Sequence, residues 1–204
     1  IRQNLRLVEN WVGTVDDTDV PYWLDVYESD RESIQEYLSS YDVDQQNAYF
    51  CIHPGSGAWV KRWENDQWAK VADTLTEQLD ATVIFTGVHS ERAMIDDIQN
   101  RMTNKSYTTA GDLTIEQLAA LYEQALVVMG PDSGPLHLAA AVDTPTVALF
   151  GPADPVEFAP WGSKDKHRVV TFPIGCRPCR VLDWGDDDPQ FHPCIRDITI
   201  GDVL

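Results

Sequence analysis

From about residue 48 onward the chain predicts a Rossmann-like α/β domain, a parallel sheet with helices on both faces. Two observations carry that prediction. Short apolar runs alternate with amphipathic helical patterns, and the glycine-rich and polar stretches PGSG, TGVHSE and GPDSGPLH fall just after apolar runs. In a doubly wound sheet those positions are the carboxyl ends of the strands, where ligands are expected to bind.

The elements follow in order. AYFCIH (48–53) is a buried strand that stops at PGSG. Trp68, Val71, Ala72, Leu75 and Leu79 then recur at helical spacing, and Glu64 and Asp66 suit the positive N-terminal end of that helix. ATVIFTG is the next strand, ended by Gly87. Ser90 is placed to cap a helix that carries Met94, Ile95, Ile98 and Met102 on one face. Thr114 and Gln117 spell a capping box, with Leu113 and Leu118 placed as a hydrophobic staple, and Leu121, Tyr122 and Ala125 continue the apolar stripe. LVVMG (126–130) and TPTVALFG (144–151) are the third and fourth strands, and HRVVTF (167–172) is a candidate fifth.

Residues 1–47 read differently: a helix-like LRLVENWVG, an acidic loop VDDTD, a candidate strand YWLDVY, and a helix from about Ser29 to Ser40. They are expected to form a connector and an added layer, with 48–204 as the ligand-binding domain. No internal repeat or low-complexity tract interrupts the chain.

Bulk properties narrow the function. With 204 residues, 43% of them hydrophobic, the chain is long enough to bury a substantial core. No run approaches the ~18 apolar residues of a membrane span. The start, IRQNLRLVEN, has neither an initiator Met nor a signal-peptide core, so the chain is expected to begin partway through a longer protein. The formal charge of −18, from 33 acidic against 15 basic residues, argues against a nucleic-acid partner, which would need clustered Lys and Arg. The acid is dispersed and reads as a solvated surface. Four cysteines in a chain this long make no disulfide scaffold and fit a reducing compartment.

Any anionic ligand must then be held by local donors. In GPDSGPLHLAAA (130–141), Pro135 suits a first helical turn and Gly134 lets a ligand approach the backbone, so the free N–H groups and the helix dipole favour a phosphate. Taken alone, the stretch reads better as an ordinary capped helix, with Asp132 or Ser133 as cap and His137 satisfied in the first turn. Lys61 tips the balance. It is one of only five lysines and follows the loop of HPGSGAWVKRW, where Ser56 adds a hydroxyl between Gly55 and Gly57. The spacing is not that of a Walker A loop, which makes a kinase or ATPase a poor reading. Glu91, at the start of the helix after FTG, can accept hydrogen bonds from ribose hydroxyls, or can serve only the helix dipole.

The succession HPGSGAWVKRW, FTGVHSE, GPDSGPLHLAAA and LFGPADP resembles the C-terminal, donor-binding domain of glycosyltransferase family 9, the heptosyltransferases of the lipopolysaccharide inner core. The likeness spans roughly residues 48–204, and LRLVENWVG resembles the end of that family's N-terminal domain. It implies the C-terminal half of a GT-B glycosyltransferase, an ADP-heptose-like donor, and neither metal nor cofactor in the transfer. Motif by motif, it implies that Lys61 neutralises the departing diphosphate with Ser56 nearby, that Glu91 holds the ribose, and that Asp132 binds sugar hydroxyls. Ser133, Gly134 and His137 would cradle the phosphates. Ser133 replaces a Thr common in relatives, and Glu64 stands where many have Pro.

The resemblance also implies that the general base and the lipopolysaccharide-core acceptor belong to an N-terminal domain preceding residue 1. The 204 residues alone are then expected to bind donor without turnover, in the cytoplasm or peripherally at the inner face of the inner membrane. Cys176, Cys179, His192 and Cys194 give C-x₂-C-x₁₂-H-x-C, ligand types that would suit zinc; a reduced, packed loop is the expectation, and Cys51 is plain core. Two other functions stay open: a nucleotide-sugar epimerase of GT-B fold, which would need an acid and base pair from this half, and a non-catalytic nucleotide-binding module.

Overall fold

The computed structural model of the chain describes residues 24–41, 43, 47–182 and 192–204. Among the described residues, one helix, α1 (Glu28–Ser40), precedes a six-stranded parallel sheet built from β1 (Tyr49–Ile52), β2 (Thr82–Phe85), β3 (Ser106–Thr108), β4 (Val128–Pro131), β5 (Thr146–Phe150) and β6 (His167–Thr171). The connecting helices are α2 (Asn65–Leu79), α3 (Arg92–Arg101), α4 (Ile115–Glu123), α5 (Gly134–Ala141) and the short α6 (Pro155–Phe158). Two more short helices, α7 (Pro193–Arg196) and α8 (Ile200–Val203), end the chain. The strand order is β3-β2-β1-β4-β5-β6, that of a doubly wound Rossmann sheet.

The strands read as unbroken apolar runs because both faces of the sheet are covered, and the alternation inside them decides which helix each residue meets. Phe50 and Ile52 point to the face that holds Trp68, Val71 and Ala72 of α2 and Ile95 and Ile98 of α3. Tyr49 and Cys51 point to the other, with Leu121 of α4, Leu136 and Ala139 of α5, and Ile34 and Leu38 of α1. Each such large apolar side chain, fully withdrawn from water, contributes on the order of 1.5–3 kcal/mol. The α1 helix thus shares the core of the sheet domain.

The capping box is present: the Thr114 hydroxyl accepts from the Gln117 N–H at 3.2 Å, and the Gln117 side chain accepts from the Thr114 N–H at 3.0 Å. Other expectations need correction. Ser90 caps nothing; it lies inside a 3₁₀ turn, His89–Glu91, and α3 begins at Arg92. LVVMG enters the sheet two residues late, because Leu126, 45% exposed, still belongs to the turn that leaves α4. A strand at 106–108 escaped the reading: it is three residues long, edge-placed and only half-buried, so it carries no apolar run. In YWLDVY, residues 24–27 are not strand. LRLVENWVG and VDDTD lie outside the described residues.

Candidate functional site

Adjacent strands β1 and β4 send their chains to opposite faces of the sheet, which opens a crevice at their carboxyl ends. Gly130 makes the junction possible: a Cβ there would lie 2.5 Å from the His53 carbonyl oxygen, closer than atoms can pack. The loops after β1 and β4 therefore meet edge to edge.

Lys61 ends a 3₁₀ turn, Trp59–Lys61, and reaches across the crevice. Its Nζ donates to Asp132 Oδ2 at 2.5 Å, with the Asp132 carbonyl oxygen at 3.4 Å. The side chains are only 16% and 7% exposed, so this is a largely buried pair and not a surface contact. Ser56 is buried; its hydroxyl accepts from the Ala58 N–H at 3.4 Å, and the Arg62 guanidinium holds its carbonyl oxygen at 3.1 Å. The loop is pinned from both sides.

Behind Asp132, the chain turns into α5 with Ser133 as N-cap in extended backbone. No side chain caps this helix. The Ser133 hydroxyl instead donates backward to the Pro131 carbonyl oxygen at 3.0 Å, and Pro135 occupies the first turn. A Cβ on Gly134 or on Gly57 would meet nothing within 4 Å, so the backbone is open to a ligand at both loops. His137 stands at the same end of α5. The surrounding protein holds its pKa below the ordinary value through desolvation, with the Asp132 carboxylate pulling upward and the Lys61 cation downward. A helix start that no side chain caps, a nearby cation and an open backbone at Gly134 suit the diphosphate of a nucleotide.

Glu91 lies deeper. Its carboxylate rests over Gly55, where a Cβ would collide with Oε1 at 1.9 Å, and it accepts from the Val88 N–H at 2.9 Å. His53 Nε2 stands 3.8 Å from Glu91 Oε2, and His53 Nδ1 is 3.1 Å from the Thr86 hydroxyl. Thr86 in turn is 2.7 Å from the Tyr122 hydroxyl. Burial pushes the His53 pKa down to about 4 against the upward pull of Glu91. In the sequence Tyr122 reads only as part of an apolar stripe, and His53 and Thr86 end apolar runs; the one available signal is a histidine at the carboxyl end of a strand.

The seven candidates thus divide. Lys61, Asp132, Ser133, Gly134 and His137 meet at the switch point, Ser56 anchors the facing loop, and Glu91 stands behind Gly55 with His53. Part of the cysteine motif packs beside the turn that carries Lys61. Cys194 is buried against Gly151, and burial followed by its neighbours Cys179 and Cys176 raises its thiol pKa. The His192 ring packs edge-on against Trp59 at 5.3 Å. Among the described residues, no group of three His, Cys, Asp or Glu side chains is arranged to hold a metal ion.

The sheet order and the placement of these groups define a Rossmann-like domain with its polar residues gathered at the switch point. Residues 2–183 match the family profile described as Glycosyltransferase family 9 (heptosyltransferase), and the chain belongs to that family. It is 31% identical over 166 residues to lipopolysaccharide heptosyltransferase 3 of Escherichia coli K12, covering 79% of this chain and 46% of that protein. A family 9 glycosyl transferase structure from Veillonella parvula aligns with a TM-score of 0.69 at 25% identity, over 78% of this chain and 44% of that one. ADP-heptose lps heptosyltransferase II of E. coli aligns at 0.71 with 24% identity, over 89% and 50%. The chain spans about half the length of the curated relatives it matches. Among the described residues, no helix is long and apolar enough to cross a membrane.

Proposed function

We propose that residues 48–204 form the donor-binding part of an inverting glycosyltransferase that moves a heptose, or a related sugar, from an ADP-sugar to a lipopolysaccharide-core acceptor. The observation that carries the reading is the meeting of Lys61 and Asp132 across the switch point, beside the uncapped start of α5. In this reading an acceptor hydroxyl attacks the anomeric carbon, the bond to the diphosphate oxygen breaks, and negative charge grows on the departing nucleoside diphosphate. Lys61 and the α5 N–H groups meet that charge, and because they are already in place they need little reorganisation during the reaction. Asp132 orients sugar hydroxyls, and Glu91 accepts from the ribose. Deprotonation of the acceptor falls to a carboxylate outside these residues. The reaction belongs at the cytoplasmic face of the inner membrane, where the acceptor's lipid is anchored.

A thermal-shift panel of ADP, UDP, GDP and their sugars tests the donor reading. ADP and ADP-heptose are expected to raise the melting temperature more than the uridine and guanosine series, and Lys61→Ala is expected to erase the difference. Equal shifts from all three bases would remove the adenine assignment, and no shift from any would remove the donor site.

A further inference from the structure

Four side chains from four separate segments form a continuous polar file through an otherwise apolar interior: Tyr122 of α4, Thr86 after β2, His53 after β1, and Glu91 before α3. Tyr122, Thr86 and His53 are buried, with at most 6% of their surface exposed, and only the Glu91 end reaches the crevice, with its side chain 11% exposed. Such a file is costly unless every proton has a place, so its direction can be worked out.

The Glu91 end sets that direction. A ring nitrogen lone pair aimed at a carboxylate 3.8 Å away would repel it, whereas an N–H there is attracted. Nε2 must therefore carry the proton. Nδ1 is then an acceptor, so the Thr86 hydroxyl must donate to it; Thr86 has no second proton, so the Tyr122 hydroxyl must donate to Thr86. The file runs one way only, from Tyr122 to the carboxylate. The remaining contacts on Glu91 agree: one oxygen accepts from the Val88 N–H, and the group is pressed onto Gly55, where no other residue leaves room for it.

We propose that His53 is a positioning residue of the donor site: held as the Nε2–H tautomer by Thr86 and Tyr122, it fixes the Glu91 carboxylate over Gly55 in the orientation that receives the ribose. This rests on the reading of Glu91 as the ribose acceptor. His53 touches neither donor nor acceptor. It works through Glu91, and its loss should therefore fall on nucleoside recognition and spare the diphosphate contacts at Lys61 and Gly134.

Two measurements on the 204-residue chain test this. Long-range ¹H–¹⁵N correlation of the ligand-free protein should show the Nε2–H tautomer at His53, with Thr86→Val allowing the other form to appear; an Nδ1–H tautomer in the wild type overturns the lock without any nucleotide. Calorimetry should then show His53→Asn weakening ADP about tenfold, as the Glu91 carboxylate loses the N–H that faces it 3.8 Å away, with inorganic pyrophosphate bound as before. His53→Gln, whose amide N–H reaches the place of Nε2–H, should restore most of the ADP affinity. Equal losses for ADP and pyrophosphate, or no rescue by Gln, would mean that His53 only supports the fold. If Glu91→Ala binds ADP like the wild type, the ribose reading fails and the donor-site role of both residues falls with it, while the tautomer result still decides the lock itself.

Discussion

Lys61 and Asp132 depend on each other, since neither side chain keeps more than 16% of its surface in water. Removing one partner of a well-buried pair leaves the other desolvated and unpaired. Lys61→Ala should therefore weaken ADP roughly tenfold or more and also lower stability, because the same cation serves ligand and carboxylate. Asp132→Asn separates the two roles: it keeps the shape, frees Lys61, and is expected to cut the affinity for ADP-heptose more than that for ADP. Calorimetry with both ligands checks this, and an equal loss on the two would take Asp132 off the sugar. Two glycines in the same stretch contrast in a similar way. Gly130 is indispensable to the fold because of the His53 carbonyl oxygen, whereas Gly134 faces open space, so a side chain at 134 tests the ligand and one at 130 tests the sheet. Sequence pointed to Gly134 from its place before Pro135. It had nothing to say of Gly130, whose neighbour lies 77 residues earlier in the chain.

Among the elements, legibility followed burial. β1, β2 and β5 stood out because they are central and nearly fully buried, which turns them into apolar runs; β3, at an edge and half-exposed, had no such signature. The Thr114 cap was readable because both partners of its capping box lie within one turn, and Thr114→Ala should cost about 1 kcal/mol in urea unfolding while leaving nucleotide binding alone. The His53 file was hidden for the opposite reason. Its members come from four segments and meet only through the topology of the sheet. It makes a prediction about acid stability. The His53 pKa in the fold is about 4, below its ordinary 6.5, so the unfolded chain takes up this proton first. Above pH 6.5 this residue takes nothing from stability; as pH falls through that window stability is lost, with a total on the order of 3 kcal/mol once pH is below about 4. Urea unfolding of wild type and His53→Gln across that range measures the difference: the variant should lack this part of the acid lability, and parallel profiles would contradict the assignment.

At the scale of the whole molecule, the motifs announced the family and the strand alternation announced the sheet, but the contacts among the site residues came only from geometry. Nothing in the order of residues says that Lys61 is committed to Asp132, or that Ser133 turns its hydroxyl away from the helix it begins. If the proposed donor-side reading holds, these residues should bind nucleotide and fail to transfer. Absence of general-base help costs about 10²–10⁴ in rate, and an unpositioned acceptor adds an entropic barrier of up to ~7–11 kcal/mol. Incubating the 204-residue chain with ADP-heptose and a lipopolysaccharide-core acceptor should therefore give no detectable product, and robust transfer would place the base among these residues, with Asp132 and Glu91 the first to replace.

The most direct test of the central claim, that the open start of α5 is where the donor's diphosphate sits, is an ADP titration by calorimetry of the wild-type chain against Gly134→Val. A Cβ at that position meets nothing within 4 Å beyond the adjoining chain, so the fold should persist, as the urea transition of the same sample will report. ADP should bind the wild type with its affinity reduced beyond detection in the variant, because the valine occupies the space through which phosphate reaches the backbone N–H groups. A folded Gly134→Val that binds ADP as tightly as the wild type would show that the helix is merely a structural element, and that the donor lies elsewhere.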